Sequence, residues 1–173
     1  MSRYAADYQP LALGLFSTNG IGKLMADAEY KHFYATASGT YVYRSNVKLD
    51  CVSYYTTEMH YTNVLNMPNV ATANLRLGYR KDDWVGEIIL DRMKTLGGFD
   101  IRKNSMPFPS NRMNATRIGA HFKVPVPKVN GLTVVGGAMY TLAGRNVGRS
   151  FAYTAGLFYV MDFTKTKKKG TAK

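Results

Sequence analysis

The sequence predicts an all-β fold, an antiparallel up-and-down (meander) transmembrane β-barrel of about eight strands. Three observations carry that expectation. In residues 150–163, SFAYTAGLFYVMDF, Phe151, Tyr153, Ala155, Leu157, Tyr159, Met161 and Phe163 share one parity, and the opposite parity is small and nearly uncharged. A period of two is the signature of a strand with two faces. Similar alternation recurs along most of the 173 residues, without a helical period of useful length. Finally, no run of about 18 apolar residues exists, which excludes a spanning helix but not spanning strands, whose alternation halves their mean hydropathy.

The elements follow in order. Residues 11–17, LALGLFS, read as a strand or as an amphipathic lead-in, ended by the turn signal Thr18-Asn19-Gly20, so that 1–23 precede the barrel proper. Residues 24–44 read as one long strand-like piece, clearest at 31–44, where Phe33, Ala35, Ala37, Gly39, Tyr41 and Tyr43 oppose a more polar set. Residues 50–63 alternate again, Tyr55, Thr57, Met59 and Tyr61 against Tyr54, Thr56, Glu58, His60 and Thr62. Residues 70–80 oppose Ala71, Ala73, Leu75, Leu77 and Tyr79 to Thr72, Asn74, Arg76, Gly78 and Arg80. Lys81-Asp82-Asp83 is a hairpin turn, and 84–93 returns with Trp84, Gly86, Ile88 and Leu90 against Val85, Glu87, Ile89 and Asp91. The connection 94–114 holds two Gly and two Pro and is long enough to be a functional external loop. Two further strands, 115–126 and 132–143, flank a compact turn at 125–131, and 144–149 is the last loop.

With the end of the last strand placed on the periplasmic side, the connections 144–149, 94–114 and 63–69 fall outside and 125–131, 81–83 and 45–49 inside. The outer set is the longer, as in membrane barrels.

Composition narrows the function. The 13 Tyr, against 8 Phe and 1 Trp, suit an interfacial girdle, because the ring is apolar and the hydroxyl wet. The net charge is +12, but five of the 23 Lys and Arg lie in the tail, 164–173, which is expected to be a disordered basic end. The other cations are scattered among strands rather than gathered on a nucleic-acid module, so no nucleic-acid partner is expected. A single cysteine, Cys51, excludes an intramolecular disulfide and a cysteine metal site, and three His without paired spacing give no metal motif. No cofactor is expected. Met1–Pro10 has no apolar leader core, so the sequence reads either as a mature form with a start Met or as part of a longer barrel.

If the apolar parity faces lipid, the other parity fills the lumen with Glu58, His60, Arg76, Arg80, Glu87, Asp91, Arg117, His121 and Lys123. Opposite charges there are expected to pair, since an unpaired buried charge is costly. Where the lumen is wider, the excess of cations favours anions along an ion path. Glu58 and His60, two residues apart on one strand, would lie about 7 Å from each other and form a weak acid–base pair for lipid hydrolysis. No catalytic residue is assigned on that basis.

Two stretches carry a resemblance. Leu157, Tyr159, Met161 and Phe163 resemble the alternating assembly signal of the C-terminal strand of Gram-negative outer-membrane barrels, except that a basic tail follows Phe163. The segments GGFDIRKNSMPFPSNRMNATRIG, 97–119, and AGRNVGRS, 143–150, are similar to the closing portion of outer-membrane β-barrel proteins of the Bacteroidota. The resemblance implies a bacterial outer-membrane location and a porin-like barrel, and it carries over no catalytic residue. Membrane lipids, the outer-membrane assembly machinery and other envelope proteins or further copies are then the expected partners. Phe99, Arg102, Phe108 and Arg112 are the external-loop candidates.

Two other readings compete. A soluble lipocalin-like barrel would turn the apolar parity inward onto an apolar ligand. An outer-membrane lipid acyl hydrolase or transferase would use Glu58 and His60. On the membrane reading, an Arg at Val134 or Leu157 is expected to cost about 2–4 kcal/mol.

Overall fold

The computed structural model describes residues 17–103 and 107–161. Among them every regular element is a strand. Seven are long: β1 (Asn19–Tyr30), β2 (Phe33–Arg44), β7 (Val70–Lys81), β8 (Trp84–Thr95), β9 (Asn114–Pro125), β10 (Leu132–Arg145) and β11 (Phe151–Tyr159). Four are short: β3 (Val47–Lys48), β4 (Tyr54–Tyr55), β5 (Met59–His60) and β6 (Val64–Leu65). The long strands form one 7-stranded antiparallel sheet in the order β1-β2-β7-β8-β9-β10-β11. The meander expected from the sequence is therefore present.

Closure is not. β1 and β11 are the two edges, and β1 is exposed along its whole length. An odd number of antiparallel strands leaves both edges running the same way. Pairing β1 directly with β11 would make a parallel ladder in an otherwise antiparallel sheet.

Three segments depart from the sequence expectation. Residues 24–44 are not one strand. Tyr30 pairs with Phe33, and Lys31 takes a left-handed φ of 58° to turn the chain, so a tight hairpin sits inside the apparent run. Asn19 and Gly20 pair with Arg44 and Tyr43 and open β1 rather than a turn, which takes residues 19–23 out of the expected lead-in. Residues 50–63 do not cross the sheet. They fold back as the β4–β5 hairpin, closed where the Thr56 amide donates to the Glu58 carbonyl at 3.0 Å. Alternation is the same for one strand and for two that turn back on each other, so the pattern could not distinguish them. Residues 1–16 and the basic tail lie outside the described residues, as does Phe163.

The correction to 50–63 sharpens the segregation of connections. The whole of 45–69 now joins 96–113 and 146–150 at one end of the sheet, and the turns at 31–32, 82–83 and 126–131 lie at the other. The expected inside position of 45–49 is reversed, because β2 leads directly into the long connection.

Register keeps each strand's apolar parity on one side. One row reads Ala28, Ala35, Leu77, Ile88, Ala120, Ala138, Tyr153. The adjacent row on the opposite side reads Glu29, Tyr34, Gly78, Glu87, His121, Gly137, Thr154. Burial is inverted relative to a water-soluble sheet. In β8, Trp84, Gly86, Ile88 and Leu90 are exposed, while Val85, Glu87 and Asp91 are half-buried and Ile89 is buried. Leu24, Ile88 and Leu157 are 83%, 60% and 74% exposed. The buried side chains of the sheet, Tyr34, Val70, Ile89, Thr95, Ala115, Thr133 and Thr141, all lie on the polar side.

The best-packed apolar cluster is not on the sheet. Val47, Leu49, Leu65 and Met67 bury one another within 45–69, and Cys51, Tyr54 and Phe108 pack against them. The β3–β6 pair brings Val47 opposite Leu65, and both are 1% exposed. The long connections thus form a folded cap over one end of the sheet.

Candidate functional site

The polar face is layered. At the turn end, Arg80, Val85 and Lys123 share one cross-strand row. Arg80 rests over the ring of Tyr34, with Cζ 4.9 Å from its centroid, and Lys123 over Phe158, with Nζ at 5.7 Å. Such cation–π contacts hold a cation without neutralising it.

One layer deeper, Glu87 collects three partners. The Tyr34 hydroxyl donates to Oε2 at 2.8 Å, Arg76 Nη1 lies 3.3 Å from Oε1, and His121 Nδ1 lies 3.6 Å from the same oxygen. Tyr34 reaches across two strand spacings because Gly78 stands between: a Cβ there would come within 2.3 Å of the Tyr34 ring. Glycine at 78 is needed for this close approach, not for an unusual φ. Toward the cap, Asp91 accepts from Arg117 Nη2 at 2.8 Å and from Asn74 at 3.4 Å, and Asn74 in turn accepts from Arg76 at 3.2 Å. Side chains that converge across strands in this way make this the less exposed of the two faces. An eight-strand barrel interior has similar crowding.

The expected lumen set therefore divides. Arg76, Arg80, Glu87, Asp91, Arg117, His121 and Lys123 share the polar face, and Arg76 pairs with Glu87 and Arg117 with Asp91. Glu58 and His60 are not among them. His60 stacks on Tyr54 at 4.8 Å and bonds Thr56 Oγ1 at 2.8 Å, while Glu58 is exposed in the turn of the β4–β5 hairpin. The hairpin sends these residues into the cap, and the Glu–His pair inferred from strand spacing does not form among the described contacts.

Of the assembly-signal residues, Leu157 and Tyr159 lie on the apolar face of β11, and Met161 follows the end of that strand.

The external-loop residues come together. Phe99 and Phe108 pack with centroids 5.9 Å apart, Phe108 also meets Tyr54 at 5.8 Å, and Arg102 lies over Tyr55 at 4.5 Å. The Arg112 amide donates to the Phe99 carbonyl at 2.8 Å, and the Arg112 carbonyl accepts from Asn146. The described residues of the 96–113 connection, within the expected external loop, are thereby tied to the cap.

Asp100, Asn146 and Arg145 were not candidates from sequence, since nothing in a linear pattern links positions 45 residues apart. Arg145 donates to both oxygens of Asp100, and Asn146 donates to one at 2.9 Å. Hydrogen bonding to Arg145, then to Asn146, holds the Asp100 carboxyl below its ordinary value of 3.8. A carboxyl whose folded pKa is depressed stabilises at pH above the unfolded value and loses that contribution as pH falls through the folded one. The β10–β11 loop is therefore expected to resist pepsin at pH 4.5 and to be cut at pH well below 3.8. Asp100→Asn is expected to be cut at both, with the cleavage sites read by mass spectrometry.

Tyr34 and Asn74 were also missed as site residues; both share the polar parity, and only their register partners reveal their roles. No helix among the described residues is long and apolar enough to cross a membrane. Comparison with protein-family models, with curated proteins and with solved structures finds no match to this chain.

Proposed function

We propose that the chain forms the wall of a porin-like transmembrane β-barrel of the bacterial outer membrane. Lipid would cover the apolar face, and the polar face would line a mixed, somewhat cationic path. The observation that carries this is the inverted burial: across the strands the apolar parity is the exposed one and the charged network around Glu87 and Asp91 the less exposed, with Arg92 and Lys94 of β8 as charges toward the cap end of the apolar side. A lipocalin-like sheet would bury its apolar parity, and here the less exposed side holds Glu87, Asp91, Arg76 and Arg117.

The dimensions support the reading. On β2 the apolar face runs from Phe33 to Tyr41, about 26 Å at the strand rise, and an outer-membrane strand tilted by about 40° projects this to roughly 20 Å. Aromatic residues flank the band at the turn end with Tyr30, Phe33, Tyr79, Trp84, Phe122 and Tyr159, and at the cap end with Tyr41, Tyr43 and Phe151. Aliphatic and small residues fill most of the space between them, with Arg92 and Thr116 in the row next to Tyr41. An antiparallel barrel would be completed by an odd number of further strands between β1 and β11, as in a larger barrel of which this chain is one part. Membrane lipids and the outer-membrane assembly machinery are the corresponding partners, and a structural role without conduction would use the same two faces.

Trp84 is the single tryptophan and sits in the turn-end girdle, half-exposed on the apolar face. In reconstituted liposomes its emission is expected to be blue-shifted. Lipids brominated near the ester end of the acyl chain should quench it more than lipids brominated near the methyl end. Emission unchanged from that of exposed tryptophan, with no quenching by either lipid, would overturn the membrane reading.

A further inference from the structure

We infer that Arg80 and Lys123 form an oxyanion site at the turn end of the polar face, suited to a solute bearing a phosphate group. The inference rests on the porin-like reading and names the class of solute that such a path would favour. The two residues occupy the same row with Val85 between them, so their backbones are two strand spacings apart, about 10 Å. Side chains of this length, turned toward each other over Val85, can span that distance and contact one phosphoryl group together. In the structure each rests on an aromatic ring, Tyr34 of β2 for Arg80 and Phe158 of β11 for Lys123, and an anion held by both would draw them off those rings toward Val85.

Their electrostatic state differs from that of their neighbours. Arg76 and Arg117 have carboxylate partners in Glu87 and Asp91. Arg80 and Lys123 form no ion pair among the described residues. Glu87, the nearest carboxylate on the inner face, is engaged by Arg76, His121 and Tyr34. Asp82 and Asp83 of the adjacent turn make no ion pair with either cation. The row continues through Val135 to Gly156, leaving one side of the pair free of competing polar groups. Arg80 also lines a cavity of about 420 Å³ whose wall carries the hydroxyls of Thr36, Ser38, Thr40 and Thr72, suited to the rest of a polar solute, and the charges of Lys23, Arg76 and Glu87.

The test is a calorimetric titration of the full chain, folded in detergent, with inorganic phosphate. Saturable binding is expected, weakened at least ~10-fold in Arg80→Gln and in Lys123→Gln. Binding should be retained in Arg80→Lys and Lys123→Arg, which keep the charge and report on folding. Lys94→Gln removes the same charge at the exposed cap end of the apolar face and is expected to leave binding unchanged. Absence of saturable binding, or equal weakening by Lys94→Gln, would overturn the site. Trp84 quenching by brominated lipid on the same preparations separates the two proposals. Quenching without phosphate binding removes only the site, whereas phosphate binding without quenching removes only the membrane reading.

Discussion

Placing arginine at Ile88 is expected to lower folding stability in a bilayer by about 2–4 kcal/mol, the cost of a guanidinium on a lipid face near the midplane. Ile88 is 60% exposed and lies in the row of Leu77 and Ala120, between the two aromatic borders. In water the same substitution at so exposed a strand position would change stability by no more than about 0.5 kcal/mol. The size of the effect therefore reports which solvent touches this face. The register also revises the expectation for Val134 and Leu157. They share the row of Trp84 through Val124, at the turn-end border, where an arginine costs only about 0–1 kcal/mol. Urea titrations of the three variants in lipid vesicles should rank Ile88→Arg well above Leu157→Arg and Val134→Arg. Equal and negligible effects at all three would show that water covers the apolar face.

Leu65→Ala is the second large effect, expected to cost about 2–5 kcal/mol by leaving a cavity in the cap core. Leu65 is 1% exposed and faces Val47 across the β3–β6 pair, with Leu49 and Met67 completing the cluster. The loss should be local. Amide exchange is expected to rise across 47–67 and around Phe108, which packs on the cluster, while β7–β10 keep their protection. Uniform loss of protection in all the strands would mean that cap and sheet fold as one unit. The substitution should also release the contacts that Tyr54 and Tyr55 make with Phe108 and Arg102, without touching the inner-face network around Glu87.

The chain's local physics made some of this legible in advance. A period of two in 70–80, 84–93, 115–126 and 132–143 identified β7 to β10 to within two residues at each end, because a strand's two faces are set by alternation alone. The same periodicity put Arg76, Arg80, Glu87, Asp91, Arg117, His121 and Lys123 on one face. It failed at 24–44 and 50–63. The Lys31 turn carries no glycine or proline to announce it, and the β4–β5 hairpin alternates as a straight strand would.

Which residues meet was beyond any linear pattern. Tyr34 joins Glu87 because register sets Gly78 between them, and Arg145 joins Asp100 because two loops share one end of the sheet. By itself, the sequence determined an all-β meander with one apolar and one polar parity, since side-chain alternation is a property of each strand alone. Only the tertiary structure decided that the described sheet has seven strands with open edges, that Glu58 and His60 belong to a cap, and that the polar parity is the less exposed one. Strand count, closure and curl depend on pairing between distant segments, and that pairing is fixed by contacts no single segment contains.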